Sequence, residues 1–211
     1  MNGIKTDYLS MARSAADLLR EPVVAAAWSS PSTLAEFSVG GLAAHLANQI
    51  LIVPQALAAP VPQERPLTLL ENYRKAQWIG ADLDAEVNVR VRDSGEKVAA
   101  EGPAVLIARV DATIEELPQS LTAAGDRVVG LPWSGRPLTL DDLLITRMME
   151  LAVHSDDLAV SVSVPTPELP GSVVDTVIDL LSRLAVQRHG ATAVLRALSR
   201  AERAPATIAA I

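Results

Sequence analysis

The sequence predicts an all-α protein, a bundle of about four long helices with additional C-terminal helices. Its composition is 49% hydrophobic but only 3% aromatic, so the core must be built from Ala, Leu, Val and Ile, which suits helices packed at close range. Long segments repeat apolar residues at a spacing of three to four, which is the helical period. Clusters of Pro, Gly and Ser separate these segments where helices would have to end.

The N-terminal half contains three predicted helices. The first covers residues 6–19, and the second begins after Ser38, a good N-cap residue, and continues to about residue 57. A third begins in LTLLENYRKAQWIGADLDAEV, residues 67–87. The next segment, residues 87–98, reads VNVRVRDSGEKV and is ambiguous. Its alternation indicates a short strand, whereas its neighbourhood is helical.

The C-terminal half continues the helical pattern. Helix is predicted over residues 103–122, followed by a short extended piece with turn residues in DRVVGLPWSGRPLTL. Thr139 and Asp142 resemble a capping box ahead of a helix from about residue 140 to 162. Prolines end that helix, and two more helices follow on either side of Gly190. We therefore expect a bundle over residues 1–165 and a helical extension over 166–211 packed on it, as a single structural domain.

Composition also excludes several classes of protein. The net charge is −7 and no Lys/Arg cluster occurs, so a nucleic-acid partner is not expected. The chain has no cysteine, which excludes disulfides, thiolate metal ligands and a cysteine nucleophile, and any thiol chemistry needs a thiol from outside. The N-terminus lacks the apolar region of a signal peptide, and no uninterrupted apolar run reaches the length of a membrane span. The expected location is the cytoplasm, with no membrane partner.

Four polar residues share one face of the helix predicted over residues 140–162. A helix turns by about 100° per residue, so Arg147, Glu150, His154 and Asp157 lie within about 80° of one another. The rest of the circumference is almost entirely apolar, which is typical of a buried helix. We therefore expect this stripe to point into the bundle, where charged groups need partners or a metal ion.

The stripe allows two interpretations. One is a structural ion-pair cluster, with Arg147 paired to Glu150 and His154 hydrogen-bonded beside them. The other is a metal site, because Glu150 and His154 stand one turn apart. The chain has three histidines. His189 lies at a predicted helix end, where a capping role is expected. A single histidine such as His45 on an apolar helix face is ordinarily a hydrogen-bonded core residue. Because the pair of Glu150 and His154 needs a third ligand, however, His45 is the candidate that completes a common catalytic zinc set of two histidines and one glutamate.

Two segments carry a resemblance to a known family. They are FSVGGLAAHLAN, with His45 eight residues after Phe37, and RMMELAVHSDDL, with the pattern R-x-x-E-x-x-x-H-x-x-D. Both resemble the mycothiol-dependent maleylpyruvate isomerase family, part of the DinB-like superfamily of metal-binding bundles. The ending RHGATAVLRALSRAERAP is similar to the C-terminal helix of short members.

The resemblance implies a DinB-like up-and-down four-helix bundle that holds a divalent metal, typically zinc, through His45, Glu150 and His154. It also implies a low-molecular-weight thiol, mycothiol, as cosubstrate. The family's isomerase proper carries an additional C-terminal α/β domain, whereas the residues after Pro165 read mostly as helix. We therefore expect this chain to lack that domain and its substrate contacts.

The expected chemistry is attack of a metal-activated thiolate on a small electrophile, either an enedione-like acid or a reactive xenobiotic. Addition of the thiolate to a double bond, rotation about the resulting single bond and elimination of the thiolate would isomerise that double bond. Addition or displacement alone would transfer sulfur to the electrophile.

Arg147 and Asp157 are the predicted catalytic residues. Arg147 would fix a carboxylate of substrate or thiol, with a salt bridge to Glu150 or Asp157 as the alternative. Asp157 would orient a ligand histidine, with helix-end solvation as the alternative.

Two other functions stay open. A metal-dependent hydrolase would use water as the nucleophile, although the sequence offers no clear separate general base. A non-catalytic bundle, stabilised by its metal, would bind a small ligand or a partner. The oligomeric state also stays open, with a homodimer among the alternatives.

Overall fold

The computed structural model describes residues 2–211, and its regular secondary structure is almost entirely helical, which confirms the predicted all-α class. The helices are α1 Gly3–Leu19, α2 Pro22–Ala26, α3 Val39–Ala58, α4 Leu69–Arg74, α5 Glu86–Ala99, α6 Pro103–Ala124, α7 Leu140–Ser161, α8 Gly171–His189 and α9 Ala191–Ser199. A 3₁₀ turn follows at Ala201–Arg203. The strands β1 Val128–Gly130 and β2 Pro137–Thr139 pair as an antiparallel hairpin between α6 and α7.

The bundle is formed by α1, α3, α6 and α7. Helices α1 and α3 each pack against both α6 and α7, and the four enclose a core of small and branched aliphatic side chains. Alanines on the inner faces, such as Ala12, Ala43 and Ala47, are fully buried, which allows the helix backbones to approach closely. The aliphatic composition of the sequence therefore corresponds to tight helix packing.

Helix α3 is long and apolar enough to cross a membrane by length and composition alone. However, 61% of its most apolar stretch is buried inside the protein, and it packs on α5, α6 and α7. Its apolar run is interrupted by His45, Asn48 and Gln49. The same composition is typical of a central helix in a globular bundle, and that is the position of α3 here.

The middle of the chain differs most from the sequence-based expectation. The third helix is short: α4 ends at Arg74, and most of residues 75–85 are irregular. The ambiguous segment 87–98 is helical, as part of α5, so the alternative of a strand is wrong. Gly95 of α5 lies against the backbone of Gly41 in α3, where an added Cβ would come within 2.8 Å of the Gly41 carbonyl oxygen. The packing of α5 against α3 therefore favours a helix in this segment more strongly than the alternating valines favour a strand.

The predicted helix signals around α7 and α8 are largely present. The Thr139 side chain accepts a hydrogen bond from the Asp142 amide, although the structure shows only this half of the capping box. Helix α8 ends at His189, and the next residue, Gly190, has a φ of 83°, which favours glycine. Helix α8 packs on α7 and α1, and the Arg188 and His189 side chains contact the carbonyl oxygen of Ala209. The division of the chain after residue 165 stays a prediction.

Candidate metal centre

Helix α3 is fixed at its N-terminus by contacts that determine where His45 lies. The Ser38 hydroxyl caps the helix by accepting from the Gly41 amide at 2.8 Å. Glu96 of α5 accepts from both the Ser38 amide at 2.8 Å and the Ser38 hydroxyl at 2.9 Å. A Cβ on Gly41 would lie 2.1 Å from the Glu96 carboxylate, so only glycine leaves room for this arrangement. The consecutive glycines of the sequence motif therefore allow α5 to hold α3 at this point.

Helix α7 supplies the other two members of the predicted ligand set. Glu150 and His154 are one helical turn apart, and His154 Nε2 lies 3.1 Å from Glu150 Oε2. The same carboxylate oxygen is 4.0 Å from His45 Nε2 on α3. The rings of His45 and His154 meet edge to face, with their centroids 4.6 Å apart. Packing of α3 against α7 thus brings together the three residues that the sequence singled out.

The donor set is chemically suited to a divalent cation. One ligand atom from each of His45, Glu150 and His154 lies within 4.8 Å of the other two. Two imidazole nitrogens and one carboxylate oxygen match a known zinc set that keeps a further position open. The three side chains are 20%, 14% and 13% exposed, so the cluster lies near the bundle interior without being sealed from solvent.

The environment sets the protonation of the three groups. Burial, reinforced by His154, lowers the pKa of His45 to about 4, so its ring is neutral at physiological pH. Burial disfavours the charged form of His154, but hydrogen bonds with Asp157 and Glu150 outweigh it and raise the pKa. Burial likewise opposes ionisation of Glu150, but the hydrogen bond to His154 and the charge of Arg147 outweigh it and lower the pKa. Without a metal the cluster therefore contains an ionised Glu150 and a neutral His45, which are ligand forms, whereas His154 is held as the imidazolium by its carboxylate neighbours and must release a proton to bind a metal.

Asp157 contacts the far side of the His154 ring. Its Oδ2 lies 3.0 Å from His154 Nδ1, which leaves Nε2 directed at the cluster. The Asp157 backbone carbonyl also accepts from the Thr33 hydroxyl at 3.0 Å and from the Ser161 hydroxyl at 2.6 Å. The Thr33 hydroxyl therefore connects the loop before α3 to Asp157, the residue of α7 that orients the His154 ring.

Arg147 does not make the expected salt bridge. Within residues 2–211, no carboxylate lies within salt-bridge distance of its guanidinium, although the residue is only 8% exposed. Instead, Nη1 donates to the Gln49 side-chain oxygen on α3, and Nε donates to the Thr146 hydroxyl at 3.1 Å. The guanidinium carbon lies 5.0 Å from the centroid of the Trp133 ring, in the turn of the β-hairpin. The alternative of a pairing with Glu150 or Asp157 is therefore wrong.

Gln49 connects Arg147 to the predicted metal ligands. It is almost completely buried, one turn after His45 on α3, and its amide nitrogen donates to the His45 carbonyl at 2.8 Å. The sequence analysis did not assign it a role. Its position four residues after His45 was the available signal, because residues i and i+4 lie on the same helix face.

Tyr73 is a second buried polar residue that sequence reasoning missed. It is 5% exposed, and its hydroxyl has no hydrogen-bond partner within the described residues. Burial raises its pKa above the ordinary tyrosine value, with a further contribution from Glu150 and an opposing one from Arg147. Tyr8, the only other tyrosine, instead donates its hydroxyl to the Gln49 carbonyl at 3.1 Å. No spacing rule indicated Tyr73, because it lies on the short helix α4, far from the motifs in sequence.

His189 lies outside the cluster. It is at the end of α8, where Nε2 is 2.8 Å from the carbonyl oxygen of Ala209. This agrees with the expected helix-end role and leaves His45 as the histidine that meets the α7 pair.

The fold and the cluster together define a class of protein, the helical bundles with two histidines and one carboxylate converging between their helices. The family model described as the mycothiol maleylpyruvate isomerase N-terminal domain matches residues 9–159, and the chain belongs to this family. The membership confirms the resemblance inferred from the two motifs.

Two solved structures are similar to this chain in fold. A crystal structure of the mycothiol-dependent maleylpyruvate isomerase has a TM-score of 0.52 and 15% identity, covering 89% of this chain and 73% of that one. A crystal structure of a histidine-to-alanine mutant of that isomerase also has a TM-score of 0.52 and 15% identity, covering 92% and 75%. At this identity the likeness shows a shared fold. Among curated proteins, no sequence matches the chain.

Proposed function

We propose that the protein is a metal-dependent enzyme that uses a low-molecular-weight thiol, mycothiol or a similar one, to isomerise or S-conjugate a small electrophile. The observation that carries this proposal is the partly accessible convergence of His45, Glu150 and His154, in a chain of the mycothiol maleylpyruvate isomerase N-terminal domain family. Because the chain has no cysteine, the thiol must come from outside. A cytoplasmic location, where small thiols stay reduced, fits this requirement.

In this proposal His45, Glu150 and His154 hold the divalent metal, most simply zinc. When bound, such an ion supplies a Lewis acid that favours the thiolate form of a coordinated thiol at neutral pH. Asp157 keeps His154 in the orientation and tautomer that direct Nε2 at the ion, as carboxylates behind metal-bound histidines commonly do. Within residues 2–211 the convergent group has three members, so a position is left for the thiol.

The surrounding residues would shape the site for an anionic reactant. The carboxylates of Glu150 and Asp157 together offset the charge of a divalent ion. The charge of Arg147 then stays unbalanced and makes the site attractive to a thiolate or to a carboxylate. Arg147 thus has an electrostatic role in the reaction, alongside its hydrogen bond to Gln49.

A thiol-consumption assay on zinc-loaded protein tests the proposal. Mycothiol and glutathione would each be offered with a panel of electrophiles that includes activated unsaturated acids and alkyl halides. We expect metal-dependent loss of free thiol or thiol-dependent isomerisation, abolished in His154→Ala and retained in His189→Ala. If no thiol dependence is found but esters or amides are cleaved, the protein is a hydrolase instead. If metal is bound and neither reaction occurs, the site belongs to a binding protein.

A further inference from the structure

Helices α8 and α9 carry a large share of the exposed apolar side chains of the protein. Within residues 2–211, twelve large hydrophobic side chains are exposed, and five of them lie on these two helices. They are Val174, Ile178 and Val186 on α8, at 39%, 55% and 40% exposure, and Leu195 and Leu198 on α9, at 65% and 71%. Apolar side chains exposed as a group indicate an interaction surface, whereas isolated ones are ordinary.

The exposed apolar residues of α8 lie on one row of the helix surface. Val174, Ile178, Ser182 and Val186 follow one another every four residues, so their side chains form a ridge along the helix, here called the α8 ridge. Helix α8 packs on the bundle through a different row, which contains Val173, Val177, Leu180 and Leu184. Folding of a single chain therefore does not account for the α8 ridge.

A groove connects the α8 ridge to α9. Ser182, in the middle of the ridge, and Leu198 of α9 both line this groove, together with the C-terminal residues 208–211. Apart from Ser182, the side chains that line it are all aliphatic. The apolar surface is therefore continuous from α8 to Leu198 and has a recess beside the middle of the ridge.

The charged residues of α8 are arranged so that the helix complements a reversed copy of itself. Asp175 and Asp179 are exposed in its N-terminal half, and Arg183 and Arg188 are exposed in its C-terminal half. Asp179 and Arg183 form an ion pair at 3.0 Å within one turn of Ser182, and both side chains are more than half exposed. In an antiparallel pair of α8 helices, the acidic half of each would lie opposite the basic half of the other, whereas a parallel pair would bring like charges together.

From the α8 ridge and this order of charges we propose that the protein forms a homodimer in which the α8 ridges of two copies pack antiparallel across a twofold axis near Ser182. Ridges of this spacing interdigitate in the commonest mode of helix packing, with the axes crossing at about 50°. The small side chain of Ser182 allows the two backbones to approach closely at the crossing. Ile178 of each copy then packs toward Val186 of the other, and the same surface serves both copies, as twofold symmetry requires.

A second copy suits this surface better than a membrane does. Anionic lipid headgroups would repel Asp175 and Asp179, which lie beside the ridge. The inference is independent of the proposed function, because the α8 ridge contains none of the metal-ligand residues. Metal content and thiol consumption therefore have no bearing on the result.

Sedimentation velocity of the purified chain over a range of concentrations tests the proposal. We expect a species of twice the chain mass that dissociates on dilution. Ile178→Asp should raise the dissociation constant of the dimer by about a hundredfold or more, because a carboxylate would be buried at the interface without a partner. The monomer should keep its helix content by circular dichroism, since Ile178 is more than half exposed in a single copy.

Val105→Asp is the matched control for Ile178→Asp. It introduces the same charge at a valine that is 42% exposed on α6, a helix that packs on α1, α3 and α5. This variant should dimerise like the parent. Equal weakening of the dimer by both substitutions would show that added negative charge alone prevents association, and would overturn the assignment of the interface to α8.

Reversal of charges tests the antiparallel orientation. Arg183→Asp should weaken the dimer by about tenfold, because it places like charges opposite each other across the interface. Adding Asp179→Arg to this variant restores opposite charges and should recover most of the affinity. Equal affinity of the parent, the single variant and the double variant would show that these charges do not meet, and would overturn the antiparallel arrangement.

A disulfide tests the position of the axis. The chain has no cysteine, so Ser182→Cys introduces the only thiol. Two such thiols should face each other near the axis and form a disulfide under mild oxidation. Ser120→Cys, at a serine of α6 that is also partly exposed, should give no covalent dimer on non-reducing electrophoresis.

Three results would overturn the proposal. The first is a parent protein that stays monomeric at every concentration. The second is a dimer that is unaffected by Ile178→Asp and is not linked through Ser182→Cys. The third is a monomeric parent that binds anionic phospholipid vesicles and loses this binding in Ile178→Asp, which would assign the α8 ridge to a membrane.

Discussion

His154 Nδ1 lies 3.0 Å from Asp157 Oδ2, and both residues belong to α7, three positions apart. The contact determines which nitrogen of the ring can face His45 and Glu150. Because the helix itself sets the spacing, the orientation of the ring needs no help from another part of the chain. The arrangement resembles the carboxylate–histidine pairs that support ligands in many metal sites.

We predict that Asp157→Asn lowers zinc affinity by about 10- to 100-fold, the usual effect of removing such a supporting carboxylate. The helix should stay intact, because the Asp157 side chain is 28% exposed and its backbone contacts with Thr33 and Ser161 are unchanged. Competition with a chromophoric chelator measures the affinity, and circular dichroism measures the helix content.

The matched control is Asp156→Asn, which removes the same charge one residue earlier. The Asp156 carboxylate accepts from the Thr166 hydroxyl at 2.6 Å and makes no hydrogen bond or ion pair with His154. Its substitution should leave zinc affinity within about twofold of the parent, since it changes only the distant electrostatic field. Equal loss in both variants would mean that net charge, and not the contact with His154, governs metal binding.

The three histidines allow a direct test of the ligand assignment. Purified protein should contain close to one divalent ion per chain, and His45→Ala and His154→Ala should each lose most of it. His189→Ala should keep its metal and change the free energy of unfolding by about 1 kcal/mol or less, the scale of a helix-end interaction. Elemental analysis decides the matter. Full metal content in both cluster variants contradicts the assignment, and metal loss in His189→Ala contradicts the choice of ligands.

Much of the candidate site could be predicted because it obeys helix periodicity. Glu150, His154 and Asp157 follow one face of one helix, and the scarcity of histidines left few choices for a residue from another helix. The pairing of Arg147 could not be predicted, because it depends on Gln49 across the α3–α7 interface and on Trp133 in the hairpin turn. Sequence spacing has no information on how two helices are rotated relative to each other.

The errors in the fold have a similar cause. Residues 75–85 carry apolar residues at helix-like intervals, yet they are irregular after the short helix α4, which ends at Arg74. For α5, the alternating valines favoured a strand locally, whereas the glycine contact with α3 and the Glu96 cap on Ser38 favour a helix. Tertiary contacts decided these segments, and single-sequence patterns do not reveal them.

We predict that Gly95→Ala destabilises the protein, although alanine is the better helix former. Replacing glycine inside an α-helix gains about 1 kcal/mol from helix propensity. The new Cβ, however, would lie 2.8 Å from the carbonyl oxygen of Gly41, a backbone atom that cannot turn away. Overpacking of this kind costs roughly 1–3 kcal/mol, so the net change should be a loss of stability. Urea unfolding, followed by circular dichroism, should show a lower midpoint with an unchanged slope.

Gly171→Ala serves as the control for Gly95→Ala. Gly171 is the first residue of α8, and an added Cβ there would meet nothing within 4 Å. This variant should be neutral or slightly more stable, since only the propensity gain applies. A Gly95→Ala variant as stable as Gly171→Ala would show that α5 can move away from α3 freely.

The last prediction separates an enzyme from a protein that uses metal only for structure. In a structural site, the free energy of metal binding is needed for folding, so the metal-free chain unfolds. Here the bundle has its own large aliphatic core, formed by α1, α3, α6 and α7, and a chain of this size buries enough surface to fold without a metal. We therefore expect the metal-free protein to be helical and to unfold cooperatively, with a melting temperature lowered only by the loss of a bound ligand.

Glu150→Gln should weaken metal binding and leave the helix content unchanged. In a cobalt-substituted protein, added mycothiol should change the visible absorption spectrum, because three protein ligands leave a position that sulfur can take. A metal-free protein that is unfolded, together with a cobalt spectrum that is unchanged by every thiol tried, would establish a structural metal instead.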